Sequence, residues 1–190
     1  MGRLLLLWIC AVIAGGGFLN TEIVLAGEIK EGFMPPAARL DGDNGGKLDG
    51  NAWDFQDRLG KIHLIFYVDP DERADGEALE EALDAEHFPA DQVTSSALIN
   101  MKATALPNFL IGITLAAKQK KFPTTIYAKD FTKHLVREWG LKDNAYNLII
   151  LNQKGELIYI KTGKPSPQDL TAIVELIRKN FVIAAKKAAR

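Results

Sequence analysis

The strongest constraint on this chain is one short apolar run, with Ile62, Leu64, Ile65, Phe66, Tyr67 and Val68 within seven positions. A run of that length reads as a strand buried on both faces. Asp69-Pro70-Asp71 stops it, because Pro70 has no N–H to offer a ladder and aspartate favours turns. Ala78, Leu79, Ala82 and Leu83 then recur at helical spacing, so strand, loop and helix make the first arm of a βαβ unit. In an open α/β sheet, chemistry sits just past the carboxyl end of such a strand. Here residues 69–76 occupy that place, without a cysteine or a histidine. The expectation is a fold whose usual activity is absent.

The N-terminus sets the compartment. Arg3 is the only early charge, residues 4–19 are apolar apart from Gly15-Gly16-Gly17, and Val24-Leu25-Ala26 puts aliphatic or small residues before Gly27. This pattern is that of a secretory signal peptide over residues 1–26, cut after Ala26, which leaves residues 27–190 as the mature domain. A retained anchor is the alternative, since the run borders on the ~18 residues a span needs. The single cysteine, Cys10, lies in the segment to be removed, and Ile9 is too large for a lipid-attachment site. The mature chain is then expected to have no thiol, hence no disulfide, no thiolate nucleophile and no thiolate metal site. With 190 residues, 25% of them charged, and a net charge of −1, it is one ordinary domain with no pull toward nucleic acid.

The remaining elements follow from local signals. Residues 28–40 form an extended entry with Pro35-Pro36. Asp41-Gly42-Asp43-Asn44-Gly45-Gly46 is dense turn chemistry. Asp41, Asp43 and Asp49 mimic a calcium loop, but Ala52 stands where the closing glutamate belongs, so a turn is preferred. Residues 97–101 read as a second strand and 106–120 as a helix with Pro107 in its first turn. Leu110, Ile111, Thr114 and Leu115 are its expected core stripe. Lys118, Lys120 and Lys121 complement that helix's dipole rather than form a nucleic-acid patch. Residues 124–128 make a third strand, and Phe131, Leu135, Val136 and Trp139 a short helix stopped by Gly140. Residues 148–151 and 157–160 flank Asn152-Gln153-Lys154-Gly155 as a hairpin. Ser166-Pro167-Gln168-Asp169 starts a terminal helix with Leu170, Ile173, Val174, Ile177 and Phe181 on one face. Its basic tail, Lys186-Lys187 and Arg190, reads as a solvated end.

This order is that of an α/β, thioredoxin-like domain: a central mixed sheet with helices on both faces. Leu59-Gly60-Lys61-Ile62-His63-Leu64 resembles the entry to the first central strand of secreted thioredoxin-like and peroxiredoxin-like proteins. Trp139-Gly140-Leu141, Leu148-Ile149-Ile150-Leu151, Lys154-Gly155-Glu156 and Lys161-Thr162-Gly163 resemble the second half of that fold. The nearer likeness, over residues 46–181, is to the YtfJ-like family of bacterial periplasmic proteins, which implies a fold and a compartment but lends no activity. A redox thioredoxin carries Cys-x-x-Cys where Asp71-Glu72-Arg73-Ala74 stands here, and a cis-proline where Tyr146 stands. Both halves of the exchange site are replaced, and exchange requires a thiolate.

The candidate site is therefore a groove rather than a reaction centre, with Tyr67, Asp69, Asp71, Arg73, Trp139 and Tyr146 as its expected residues. The competing view puts Tyr67 and Trp139 in the core. Carboxylates at Asp69, Asp71, Glu72 and Asp75 read first as caps of the following helix. A thiol-free metal-dependent or hydrolytic enzyme using Asp69, Asp71 and Asp75 is the alternative. His63, His87 and His134 are scattered over different elements, and Ser95, Ser96, His87 and Asp91 sit in no nucleophile elbow. No cofactor is expected. The expected partner is an envelope protein or peptide, with no nucleic acid, and with membrane contact only through an uncleaved N-terminus.

Overall fold

The computed structural model describes residues 28–188; the expected signal segment, residues 1–26 with Cys10, lies outside them. Strands β1 (Arg39–Leu40), β2 (Gly45–Lys47) and β3 (Trp53–Asp54) come first. They are followed by β4 (Ile62–Val68), α1 (Glu77–Ala85), β5 (Val93–Asn100), α2 (Asn108–Lys121) and β6 (Thr125–Asp130). The chain continues with α3 (His134–Trp139), β7 (Tyr146–Leu151), β8 (Leu157–Thr162) and α4 (Pro167–Ala188). The main sheet has the order β2-β6-β5-β4-β7-β8, and β1 pairs with β3 apart from it. Strands β4, β5 and β6 are parallel neighbours, whereas β2, β7 and β8 run antiparallel to theirs. This is a mixed α/β sheet with helices on both faces.

Strand alternation decides which side chains go where. Ile62, Leu64, Phe66 and Val68 of β4 face a core built with Leu79 of α1, Ile111 and Leu115 of α2, and Ile173 and Ile177 of α4. Ile65 and Tyr67 face the opposite core, with Leu135 and Trp139 of α3 and the entry-segment residues Ala38, Leu40, Trp53 and Phe55. Among the described residues, no helix is long and apolar enough to cross a membrane.

The expected elements are present, with instructive shifts in their limits. Strand β5 starts at Val93, earlier than expected, because Thr94, Ser95 and Ser96 find partners inside the sheet. Ser95 and Thr125 hydroxyls are 2.8 Å apart, and Ser96 Oγ accepts from Trp53 Nε1 at 3.0 Å. Helix α3 starts three residues late, at His134, because Asp130 Oδ1 accepts from the Thr132 and His134 N–H groups at 3.0 and 2.9 Å. In α2 only Ile111 and Leu115 of the expected stripe are buried; Leu110 and Thr114 point outward. That helix lies over β6, next to the sheet's edge strand, and meets the core along a narrow line. The acidic turn at residues 41–46 joins β1 to β2. Asp41 bonds Arg39 at 3.1 Å and Asp49 accepts from the Asn51 N–H at 3.0 Å. Gly45 is required there, because a Cβ would lie 1.8 Å from the Lys129 carbonyl oxygen.

One polar group is carried into the middle of the sheet. His63 is 2% exposed, with Nε2 2.9 Å from Ser96 Oγ and Nδ1 without a partner among the described residues. Burying one Leu, Ile or Phe side chain is worth about 1.5–3 kcal/mol, so the apolar members of β4 outweigh the about 1–3 kcal/mol cost of one unpaired nitrogen. Burial, helped by the charge of Arg58, pushes the imidazole down from 6.5 to about 3. The unfolded chain thus takes up a proton through the window from 6.5 down to about 3, which the folded chain refuses. Stability from this residue is complete above that window and is lost as pH falls through it. Wild type is expected to lose about 2 kcal/mol more than His63→Gln between neutral pH and about pH 5, measured by urea unfolding. Equal losses in the two proteins would show that His63 does not set the acid limb.

Candidate functional site

The parallel strands converge on one rim, and each ends in a polar residue whose side chain is buried. Asp69 follows β4, Asn100 ends β5 and Asp130 ends β6, at 3%, 1% and 0% exposure. An apolar strand cannot continue into water without such an exit, and a buried polar exit must be hydrogen-bonded. Asp130 Oδ2 accepts from the Tyr67 hydroxyl at 3.0 Å and from the Leu135 N–H at 3.2 Å. Asn100 Nδ2 donates to Asp143 Oδ1 at 2.9 Å, and Lys133 forms an ion pair with the same carboxylate. Burial pushes Asp143 up, but hydrogen bonds from Lys133 and Asn100 outweigh it and hold the carboxyl below the usual range. Lys133 and Asn144 flank this pair, both with left-handed backbone, at φ 56° and 49°. Asn147 Nδ2 donates to the Lys142 carbonyl at 2.9 Å, and its Oδ1 accepts from Thr162 at 3.0 Å.

The loop after β4 is a 3-10 turn, Pro70–Gly76, leading directly into α1. Asp69 caps it: its Oδ1 accepts from the Asp71 N–H at 2.8 Å, while its own N–H donates to the Ala145 carbonyl at 3.1 Å. Burial raises the Asp69 carboxyl above its ordinary value. Arg73 turns back on the same loop and donates to the Pro70 carbonyl at 2.9 Å. Asp71 is exposed, and its Oδ1 accepts from the Thr104 hydroxyl at 3.1 Å, tying this turn to the loop before α2.

The expected groove needs correcting at Asp69, which is 3% exposed, and at its aromatic members. Tyr67, Trp139 and Tyr146 are each 1% exposed and belong to the cores, not to a surface. Tyr67 is drawn inward by Asp130. Trp139 is sealed by the entry segment, with Nε1 donating to the Pro36 carbonyl at 2.8 Å and its ring edge-on to Phe55 at 5.6 Å. Tyr146 lies beneath Gly76. A Cβ at position 76 would sit 2.2 Å from Tyr146 Cε2 and 2.7 Å from its hydroxyl oxygen. The turn bearing Asp71 and the strand opening at Tyr146 therefore do meet, through a glycine pressed on a phenol ring. Asp71 and Arg73 remain exposed on the rim. Sequence reasoning missed Asn100, Asp130, Asp143 and Asn147. For Asn100 and Asp130 the available signal was a lone amide or acid at the end of an apolar run; Asp143, in the loop before β7, and Asn147, inside β7, carried none.

Chemically, the rim carboxylates of Asp69, Asp71, Asp130 and Asp143 all accept hydrogen bonds within the fold. No group of three or more His, Cys, Asp or Glu side chains able to hold a metal converges among the described residues. What the rim leaves free is surface. Leu106, Phe109, Leu110 and Ile113 stand exposed just beyond Thr104, Phe109 at 66% and Ile113 at 65%.

Comparison with solved structures places this architecture among thioredoxin-fold proteins. A peroxiredoxin-like protein from Aquifex aeolicus superposes with a TM-score of 0.57 at 13% identity, covering 80% of this chain and 88% of that one. The exposed lipoprotein thioredoxin of Streptococcus pneumoniae gives 0.55 at 12% identity, over 76% and 99%. A thiol-disulfide isomerase from Corynebacterium glutamicum gives 0.55 at 13% identity, over 75% and 96%. These likenesses define the fold class. The chain itself belongs to the YtfJ_HI0045 family of bacterial proteins of unknown function, which matches residues 42–180. No curated protein matches it.

Two substitutions probe the contact at the centre of the rim. Tyr146→Phe removes a buried hydroxyl that has no partner among the described residues and is expected to raise stability by about 1 kcal/mol. Gly76→Ala drives a methyl group into the ring and is expected to cost about 1–3 kcal/mol. Both are read by thermal or urea unfolding. A destabilised Tyr146→Phe would mean that the hydroxyl has a partner, and a neutral Gly76→Ala that the ring can yield.

Proposed function

We propose that this protein is a secreted, redox-inactive thioredoxin-fold module that binds a protein or peptide partner in the bacterial envelope. The observation that carries the reading is the contact between Gly76 and Tyr146. By the sequence resemblance, Tyr146 stands where a redox thioredoxin has its cis-proline, and residues 71–74 of the turn above it stand for the thiol pair. The only cysteine, Cys10, falls in the segment expected to be removed, and disulfide exchange needs a thiolate. Export is supported by the charge and apolar pattern of residues 1–26.

Binding is supported by the surface beside that contact. An exposed apolar patch edged by polar groups marks an interaction face. Here Leu106, Phe109, Leu110 and Ile113 adjoin Asp71 and Arg73 through the Thr104 hydrogen bond. Such a face suits a partner that presents apolar side chains with a charged flank, and aromatic anchors such as Phe109 dominate contacts of this kind. The enzymatic alternative through Asp69, Asp71 and Asp75 has less support, because the first two carboxylates already accept hydrogen bonds within the fold and leave Asp75 alone.

The purified protein is expected neither to reduce insulin with a dithiol as electron source nor to consume peroxide, while a dithiol thioredoxin assayed alongside does. Turnover in either assay overturns the redox-inactive half of the reading. Envelope protein captured by the wild type is expected to be lost with Phe109→Asp at unchanged melting temperature. Equal capture by both would remove α2 from the binding face.

A further inference from the structure

A second concavity lies at the opposite end of the strands. Between α1 and α2, over the amino-terminal halves of β5 and β6, a cavity of about 410 Å³ opens above Leu64, Phe66, Ala97 and Tyr127. The opening exists because β5 carries small residues, Ser95 and Ala97, where the two helices part. The Ser95 hydroxyl is occupied with Thr125 at 2.8 Å. This volume lies within the range of small-molecule sites, roughly 300–1,000 Å³.

The walls and the rim of this cavity differ in character. The walls are apolar, completed by Leu83, Phe88 and Phe122, whereas the rim on α1 carries Glu80 and Asp84. Glu80 is paired with Lys118 at 3.1 Å; Asp84 makes no ion pair among the described residues. Both helices also end beside the cavity, at Ala85 and Lys121; lysines offset the negative end of α2, whereas the last turn of α1 carries no basic residue. The Tyr127 hydroxyl registers this environment: burial and the Glu80 carboxylate push it up to about 12. Phe122 already holds a cation on its ring, with Lys121 Nζ 4.8 Å from the centroid.

We propose that this cavity binds a small organic cation with an apolar body, an alkylamine or arylalkylamine. Its ammonium group faces Asp84 and Glu80, and its body rests on Leu64, Phe66 and Tyr127. An anion of the same shape would meet the Asp84 carboxylate, unpaired among the described residues, and the carbonyl end of α1, which no basic residue of its last turn offsets, and a neutral molecule would leave Asp84 unused.

Calorimetry and thermal unfolding of the purified protein near neutral pH test this with phenethylamine, phenylacetate and ethylamine as probes. Saturable binding is expected for phenethylamine, with a melting temperature that rises with its concentration. Phenylacetate, which has the ring without the cation, and ethylamine, which has the cation without the ring, are expected to give neither. Asp84→Asn is exposed and is expected to weaken phenethylamine about five-fold. Ala97→Leu fills the floor and is expected to abolish binding; if it does not fold, Ser95→Val narrows the same floor. Absence of saturable phenethylamine binding, phenylacetate binding of equal strength, or undiminished binding by the folded floor variant would each overturn the proposal.

Discussion

A strand with hydrogen-bonded neighbours on both edges and buried side chains on both faces has no route to water along its length. Strand β4 is in that position, between β5 and β7, with every residue from Ile62 to Val68 buried. Its polar demands must be met internally, and its exits must be built from groups that can be satisfied without solvent. Asp69 meets this demand at the carboxyl end. Asp130 meets it for β6 by collecting Tyr67 from β4 and the first N–H groups of α3. A buried carboxylate is tolerable only with such a full set of donors. The start of α3, the inward turn of Tyr67 and the polar floor of the rim are thus one arrangement.

Legibility in the sequence followed the range of the interactions. The hairpin of β7 and β8 was readable because its turn is local: Gly155 takes φ 81° and its N–H closes on Asn152 at 2.9 Å. The start of α4 was readable for the same reason. Ser166 and Asp169 cap each other reciprocally, at 2.8 and 3.2 Å. The first half of β5 was not, since the hydroxyl groups of Ser95 and Ser96 look like loop until Thr125, Trp53 and His63 are brought beside them. The aromatic residues failed most instructively. Tyr67, Trp139 and Tyr146 combine a large apolar ring with one polar atom, so either a core or a binding surface fits their chemistry. Their inward positions depend on Asp130, Pro36 and Gly76, none of which adjoins them in the chain.

The chain keeps the thioredoxin fold without a thiol among its described residues. Fold and function separate easily in this way, because a scaffold is held by its core and an activity by a handful of side chains. Here the turn after β4 is tied down by Asp69, Arg73 and Thr104, and the space beneath it is filled by a phenol ring. The result is an end face that presents the exposed apolar residues Leu106, Phe109, Leu110 and Ile113 beside the charged side chains of Glu72, Arg73 and Asp75.

The short strand β2 has a wider consequence. Gly45 lies so close to β6 that no side chain could intervene, and Gly46 approaches Asn51 less tightly, the carbonyl oxygen standing 2.9 Å from an added Cβ. This strip of bare backbone occupies the donors and acceptors along one margin of the six-stranded sheet, and at three residues it is too short to template further growth. The opposite margin is β8, covered at Leu157 by backbone bonds from Gly32 and to Phe33 at 2.8 Å, while Ile160 is exposed and Lys161 is drawn toward Asp169 at 3.0 Å. Strand addition on that side is thus confined to the part of β8 beyond Leu157, where two molecules would meet through the same strand.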